Sequence, residues 1–308
     1  MAFYDKAIVR FLPAVPRPVV KRLSSRYIAG ETLADAERVV RRLNAEGKTA
    51  TIDVLGEEIT NPAEAEGIVR AYLDVLAEIE RAGLDANISV KPTALGLELS
   101  YDLFRANLET VVDTAAARGR FVRIDMEDSS TTDDTLRAYR ELREGGRDNV
   151  GVVLQAALRR TLDDVAALAD LKPWVRLCKG IYLEPESIAY RDFDAVRANF
   201  VRALDALLET GARVAIATHD DYLLEESRSA VERHGLGRDD YELQMLLGVR
   251  PDVADALVRE GRRLRIYVPF GSHWYEYSLR RLQENPQVAG YIAADTFGRL
   301  LPGRRNAA

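Results

Sequence analysis

The chain has little of what staples or metallates a fold. Its 308 residues include one cysteine, Cys178, and three histidines, His219, His234 and His273. A single thiol excludes an internal disulfide framework and a cysteine-rich zinc site, and so few histidines argue against a multi-histidine metal centre. No apolar run reaches the roughly 18 residues needed to span a bilayer, and the N-terminus lacks the continuous apolar stretch of a secretory signal. Lysine is confined to Lys6, Lys21, Lys48, Lys91, Lys172 and Lys179, with arginine supplying the other cations. A formal charge of −6 speaks against a protein whose main task is holding nucleic acid.

What is present is the composition of a globular protein. Hydrophobic residues make up 47% and charged residues 30%, which argues against disorder and fibrous repeats. The first thirty residues are basic, with Lys6, Arg10, Arg17, Lys21, Arg22 and Arg26 against Asp5. A helical arm with a solvated basic face is the simpler reading; a transit peptide or a membrane-surface helix is its rival. We divide the chain into an N-terminal helical arm over 1–47, a barrel over 48–301 and a short tail over 302–308.

After residue 47 a regular rhythm begins. Short runs rich in β-branched residues predict strands at 49–55, 87–90, 121–126, 150–154, 175–179, 213–217, 241–245 and 263–268. Amphipathic stretches predict helices between them, at 63–82, 102–118, 131–144, 162–168, 194–210, 222–233 and 251–260, with a last one beginning near Trp274. Asn61-Pro62 supplies a cap followed by proline in the first turn, and Gly83, Gly119, Gly211, Gly235 and Gly261 follow helix ends. Eight strand-then-helix units predict an α/β protein built as a parallel (β/α)8 barrel. The rival, a doubly wound open sheet, would carry a glycine-rich loop after its first strand, where this chain has Val54-Leu55-Gly56-Glu57-Glu58.

Barrel chemistry sits at the C-terminal ends of the strands, and those ends are polar all round. In order they carry Glu57, then Lys91, then Asp125-Met126-Glu127-Asp128, then Gln155. The remaining four carry Arg176 with Lys179 and Gly180, Thr218-His219-Asp220, Gln244, and Tyr267 before Pro269-Phe270-Gly271. One lysine or glutamine at a strand end is usually a loop anchor; a full ring of such groups is costly to bury unless paired or used. The centre is rich in cations, which suits an anionic substrate or cofactor. His219 and His273 have no G-x-S-x-G partner. The acids of the third strand end are a candidate divalent-metal site, against which ion pairing with the arginines is preferred.

Several strings resemble bacterial proline dehydrogenase: Asp53-Val54-Leu55-Gly56-Glu57, Ser89-Val90-Lys91, Arg123-Ile124-Asp125-Met126-Glu127-Asp128, and Arg176-Leu177-Cys178-Lys179-Gly180. So do Ala217-Thr218-His219-Asp220, Glu242-Leu243-Gln244, Tyr267-Val268-Pro269-Phe270-Gly271 and Tyr277-Ser278-Leu279-Arg280-Arg281-Leu282-Gln283-Glu284, in the family's order over about 30–290. The chain departs from the family pattern at Pro92, Ala156-Ala157, Ile181 and Ser272-His273.

The resemblance implies a distorted barrel whose last helix caps a mouth holding FAD. It implies oxidation of L-proline to Δ1-pyrroline-5-carboxylate by hydride transfer, with electrons passed to a quinone-type acceptor; the rivals are a flavoenzyme for hydroxyproline or another cyclic imino acid, a metal-dependent barrel aldolase or hydrolase, and a non-catalytic anion-binding barrel. It also implies no resident metal and a separate pyrroline-5-carboxylate dehydrogenase chain. The expected location is cytoplasmic, with peripheral contact at the inner face of the bacterial membrane. By matching positions, Arg176 and Asp125 are the expected catalytic residues. Lys91, Tyr267, Tyr277, Arg280 and Arg281 are expected to bind substrate, and Glu57 to gate the site against Arg280. Met126, Gln155, Arg176, Lys179, Gly180, Thr218, His219, Gln244 and Glu284 are the expected cofactor contacts.

Overall fold

The computed structural model describes residues 25–56, 59–275 and 277–278. Eight parallel strands run in chain order: β1 (Thr49–Val54), β2 (Ala86–Val90), β3 (Val122–Ile124), β4 (Val150–Gln155), β5 (Trp174–Cys178), β6 (Arg213–Ala217), β7 (Tyr241–Leu246) and β8 (Leu264–Phe270). They close into a barrel, with β8 returning to β1 so that Thr49 faces Arg265 and Val54 faces Phe270. The helices among the described residues are α1 (Leu33–Ala45), α2 (Pro62–Arg81), α3 (Tyr101–Ala117), α4 (Thr132–Glu144), α5 (Thr161–Leu168), α6 (Phe193–Glu209), α7 (Asp221–Arg233) and α8 (Pro251–Arg259). None is long and apolar enough to cross a membrane.

The local signals act as expected. Asn61 accepts a hydrogen bond from the Glu64 N–H while Pro62 opens α2. α1 starts with a capping box, in which Thr32 accepts from the Asp35 N–H and Asp35 accepts from the Thr32 N–H. Gly83, Gly119, Gly211, Gly235 and Gly261 all take positive φ after their helices. β3 is shorter than its apolar run predicts. The Asp125 N–H still reaches Val90 O at 2.9 Å, but beyond it the chain turns so that Glu127 O accepts from Gln155 Nε2 at 2.7 Å.

The main apolar core lies between strands and helices. Ile52, Ile88, Ile124, Val152, Leu177 and Ile216 point outward from the barrel and meet Tyr72 and Leu76 of α2, Phe104 and Leu108 of α3, and Phe200 of α6. α1 packs on β8 and β1, the place in the ring that a helix following β8 would take. Residues 274, 275, 277 and 278 are helical, so a last helix does begin at Trp274. Arg280, Arg281 and Glu284 lie outside the described residues, as do Glu57 and most of the basic arm.

Candidate active site

Alternation along the strands turns a second set of residues inward. In place of the branched apolar side chains that usually fill such barrels, the inner wall carries Asp53, Ser89, Lys91, Arg123, Asp125, Gln155, Arg176, Glu242, Gln244, Arg265 and Tyr267. Four cations stand against three carboxylates in this group, leaving an excess of positive charge inside the barrel.

Arg176, in β5, is the hub. Its Nη1 lies 2.6 Å from Asp125 Oδ1, and its Nε donates to Gln244 Oε1 at 2.5 Å. The guanidinium carbon sits 5.3 Å from the centre of the Tyr267 ring. Asp125 is held from two further sides, by Ser89 Oγ at 2.6 Å and by the Tyr267 hydroxyl, which donates to Oδ2 at 2.9 Å. Burial and the neighbouring Asp125 and Asp53 carboxylates raise the Tyr267 pKa well above the usual phenol range, so it stays a donor. The third guanidinium nitrogen, Arg176 Nη2, is buried and has no hydrogen-bond partner among the described residues. An orphaned charged donor costs stability unless an acceptor arrives.

Lys91, one residue past the end of β2, forms a second pair. Its ammonium lies 2.6 Å from Asp53 Oδ2, and the Tyr72 hydroxyl donates to Asp53 Oδ1 at 3.2 Å. Asp53 is fully buried, so a close cationic partner such as Lys91 offsets the cost of holding its charge there.

The rim beside β4 to β7 is built from the other expected positions. Gly180 has φ +92°, and a Cβ there would fall 2.7 Å from Gln155 Oε1, so the loop and the glutamine approach too closely for a side chain. Gln155 Nε2 donates to Glu127 O and, more weakly, lies 3.4 Å from Met126 O. Lys179 Nζ is 3.2 Å from Asp220 Oδ2 and 4.8 Å from the Phe193 ring centre. Asp220 also receives a fork from Arg197 at 2.7 and 2.9 Å and caps the start of α7. Thr218 Oγ1 accepts from the Asp220 N–H.

His219 is neutral by construction. Burial first, then the nearby Lys179 and Arg250 charges, lower its pKa to about 4. Its Nε2 accepts the Leu246 N–H at 2.8 Å, which leaves the ring proton on Nδ1.

The three acids after β3 separate. Asp125 takes the arginine, Glu127 receives the Thr93 N–H and hydroxyl at 2.8 and 2.7 Å, and Asp128 receives Ser130. No three His, Cys, Asp or Glu groups among the described residues converge as metal ligands. Tyr277 packs with Ile28, Leu55 and Trp274 and lies near enough to Tyr267 to act on it electrostatically. Asp53, Ser89 and Glu242 lie inside the family-like strings, and Arg265 inside the predicted eighth strand, but none of the four carries an expected role. The available signal was a charged or polar residue in mid-strand, on the same alternating face as Lys91 or Gln244.

A family model described as proline dehydrogenase matches residues 36–294. The chain belongs to that family. It is 36% identical over 301 residues to the proline dehydrogenase of Deinococcus radiodurans, covering 94% of this chain and 96% of the relative. It is 36% identical over 288 residues to proline dehydrogenase 1 of Bacillus subtilis strain 168, covering 94% of each. Among solved structures it is similar in fold to proline utilization A from Bdellovibrio bacteriovorus, inactivated by N-propargylglycine. That match has a TM-score of 0.83 at 24% identity, over 93% of this chain and 38% of the larger protein.

Proposed function

We propose that this barrel performs its family's reaction, the oxidation of L-proline to Δ1-pyrroline-5-carboxylate in proline catabolism, with FAD held across its C-terminal mouth. The observation that carries the reading is the buried, unpartnered Arg176 Nη2 beside Asp125 and Gln244. A guanidinium with one free donor and an interior of net positive charge fit a flavin, whose ring carries acceptors and gains negative charge on reduction. When bound, the flavin accepts the hydride taken from proline.

Arg176 stabilises charge at the acceptor ring, and Asp125 fixes the arginine's plane while accepting from Tyr267. Gln155, Lys179, Gly180, Thr218, His219 and Gln244 line the cofactor's path, with the Met126 backbone and Glu284 completing it. The neutral His219 offers a donor on Nδ1, suited to an acceptor oxygen. Lys91, held by Asp53, takes the proline carboxylate together with Arg280 and Arg281. Tyr267 and Tyr277 wall the apolar ring, and Glu57 closes the site. Electrons leave to a quinone-type acceptor through peripheral contact at the cytoplasmic face of the membrane. The product passes to a separate pyrroline-5-carboxylate dehydrogenase.

The visible spectrum of the purified full chain tests this. A yellow protein whose flavin band bleaches on anaerobic addition of L-proline is the expected result. A flavoprotein that stays yellow with L-proline but bleaches with another cyclic imino acid would overturn the substrate. A colourless protein that fails to take up FAD would overturn the cofactor.

A further inference from the structure

Glu242 sits inside the barrel with its side chain 15% exposed, two residues before Gln244 on the same face of β7, and has no part in the flavin and proline contacts. Its carboxylate lies at 3.0 and 3.1 Å from Arg265 Nε, and Arg265 is anchored in turn by donation from Nη1 to Ala50 O at 2.7 Å. Glu242 Oε1 also accepts from Gln244 Nε2 at 2.5 Å. Opposition by Arg265 outweighs burial and keeps the Glu242 pKa low, so the group is a carboxylate with no proton to give.

That last fact has a geometric result. A primary amide has two ends, and either could face Arg176. An ionised carboxylate only accepts, so it compels the NH2 end of Gln244 to turn toward Glu242. The oxygen end must then face Arg176, whose Nε it accepts at 2.5 Å. A reversed amide would set NH2 against a guanidinium, two donors face to face, and would leave Glu242 short of a partner. With Nε held by Gln244 and Nη1 by Asp125, the guanidinium plane is determined and Nη2 is the nitrogen left over.

We propose that Glu242 is a positioning residue for hydride transfer: through the direction of the Gln244 amide it sets which nitrogen of Arg176 is presented to the flavin. This rests on the flavin reading of the site. Arg265 balances the Glu242 charge, with the half-exposed Arg263 Nε a further 3.7 Å contact to Oε2, so Glu242 acts on the orientation of the Arg176 charge and adds no net negative field of its own.

Orientation and charge predict opposite outcomes for two variants. The Glu242→Met, Arg265→Met double variant removes the relay without leaving a buried charge unpaired and without changing net charge. Glu242→Gln removes the negative charge but keeps an acceptor oxygen for Gln244. Each is purified with its flavin and compared with wild type for flavin midpoint potential, flavin content, and kcat and KM for L-proline, with far-UV circular dichroism as the folding check.

The double variant is expected to hold flavin, to keep KM within about threefold, to lose at least tenfold in kcat, and to show a more negative flavin potential. Glu242→Gln is expected to retain most of kcat and not to share the negative shift. The proposal is overturned if the double variant has wild-type potential and kcat, or if Glu242→Gln carries the whole defect. If the double variant does not fold, Glu242→Leu alone and Glu242→Gln decide by the same two readouts. A wild type whose flavin proline cannot reduce would instead sink the assigned function, before any variant is compared.

Discussion

Ile52 and Asp53 are neighbours in β1, and both are buried, yet they face different interiors. Ile52 packs outward among Tyr72, Leu76 and their neighbours, where burial alone is favourable. Asp53 holds Lys91 and Tyr72, and such partners offset the cost of its burial. The same contrast repeats around the barrel, with Ile124 beside Asp125, Leu177 beside Arg176 and Leu243 beside Glu242. The layer between strands and helices is the stabilising core. The inner wall is a charged network that a folding argument alone would disfavour, which is the mark of a site that is used.

The sharpest way to break this contrast is to damage each layer separately. Phe104→Ala, in the outer layer, should cost about 3–5 kcal/mol of unfolding free energy in urea. Turnover per folded, flavin-loaded molecule should stay at the wild-type value. A specific loss of kcat in the folded fraction would show that the two layers are not independent.

Arg176→Ala should do the reverse. Loss of a preorganised charge at the acceptor should lower kcat by about 10²–10³-fold, roughly 3–4 kcal/mol of barrier. A defect lying wholly in KM would contradict its placement at the flavin.

The rim sharpens the comparison through pH. His219 has a folded pKa of about 4 against 6.5 for the free group, so the unfolded chain binds its proton first. The His219 contribution is therefore complete above pH 6.5 and is lost as pH falls toward 4. In flavin-free protein, wild type should lose about 2–3 kcal/mol more than His219→Gln between pH 7 and pH 4.5. Carboxylates shared by both proteins cancel in that difference. Parallel pH profiles for the two proteins would mean that the ring is charged in the fold or exposed.

The smallest effect belongs to the outer surface. Arg147 and Asp113 form a fork with N–O distances of 2.7 and 3.0 Å at the surface, with Asp113 more than half exposed and Arg147 partly so. Arg147→Met should change stability by about 1 kcal/mol or less in the same urea assay. A larger loss would place this pair among the structural charges that the inner wall alone is taken to contain.

The chain alone was enough for the rhythm of eight strands and their helices, because periodicity, caps and glycines are local signals. It was also enough to single out Arg176, Asp125 and Gln244, since polar groups at strand ends stand out against apolar runs. The pairing was not legible there. Arg176 meets Asp125 across 51 residues and Gln244 across 68, and only closure of the barrel brings those strands together. Asp53 and Glu242 showed as charges in mid-strand, but which cation each one held depended on strand register. Likewise, nothing local says that His219 is neutral. Its state follows from burial, from the Leu246 N–H and from two cations supplied by other elements, and so it is a property of the assembled rim.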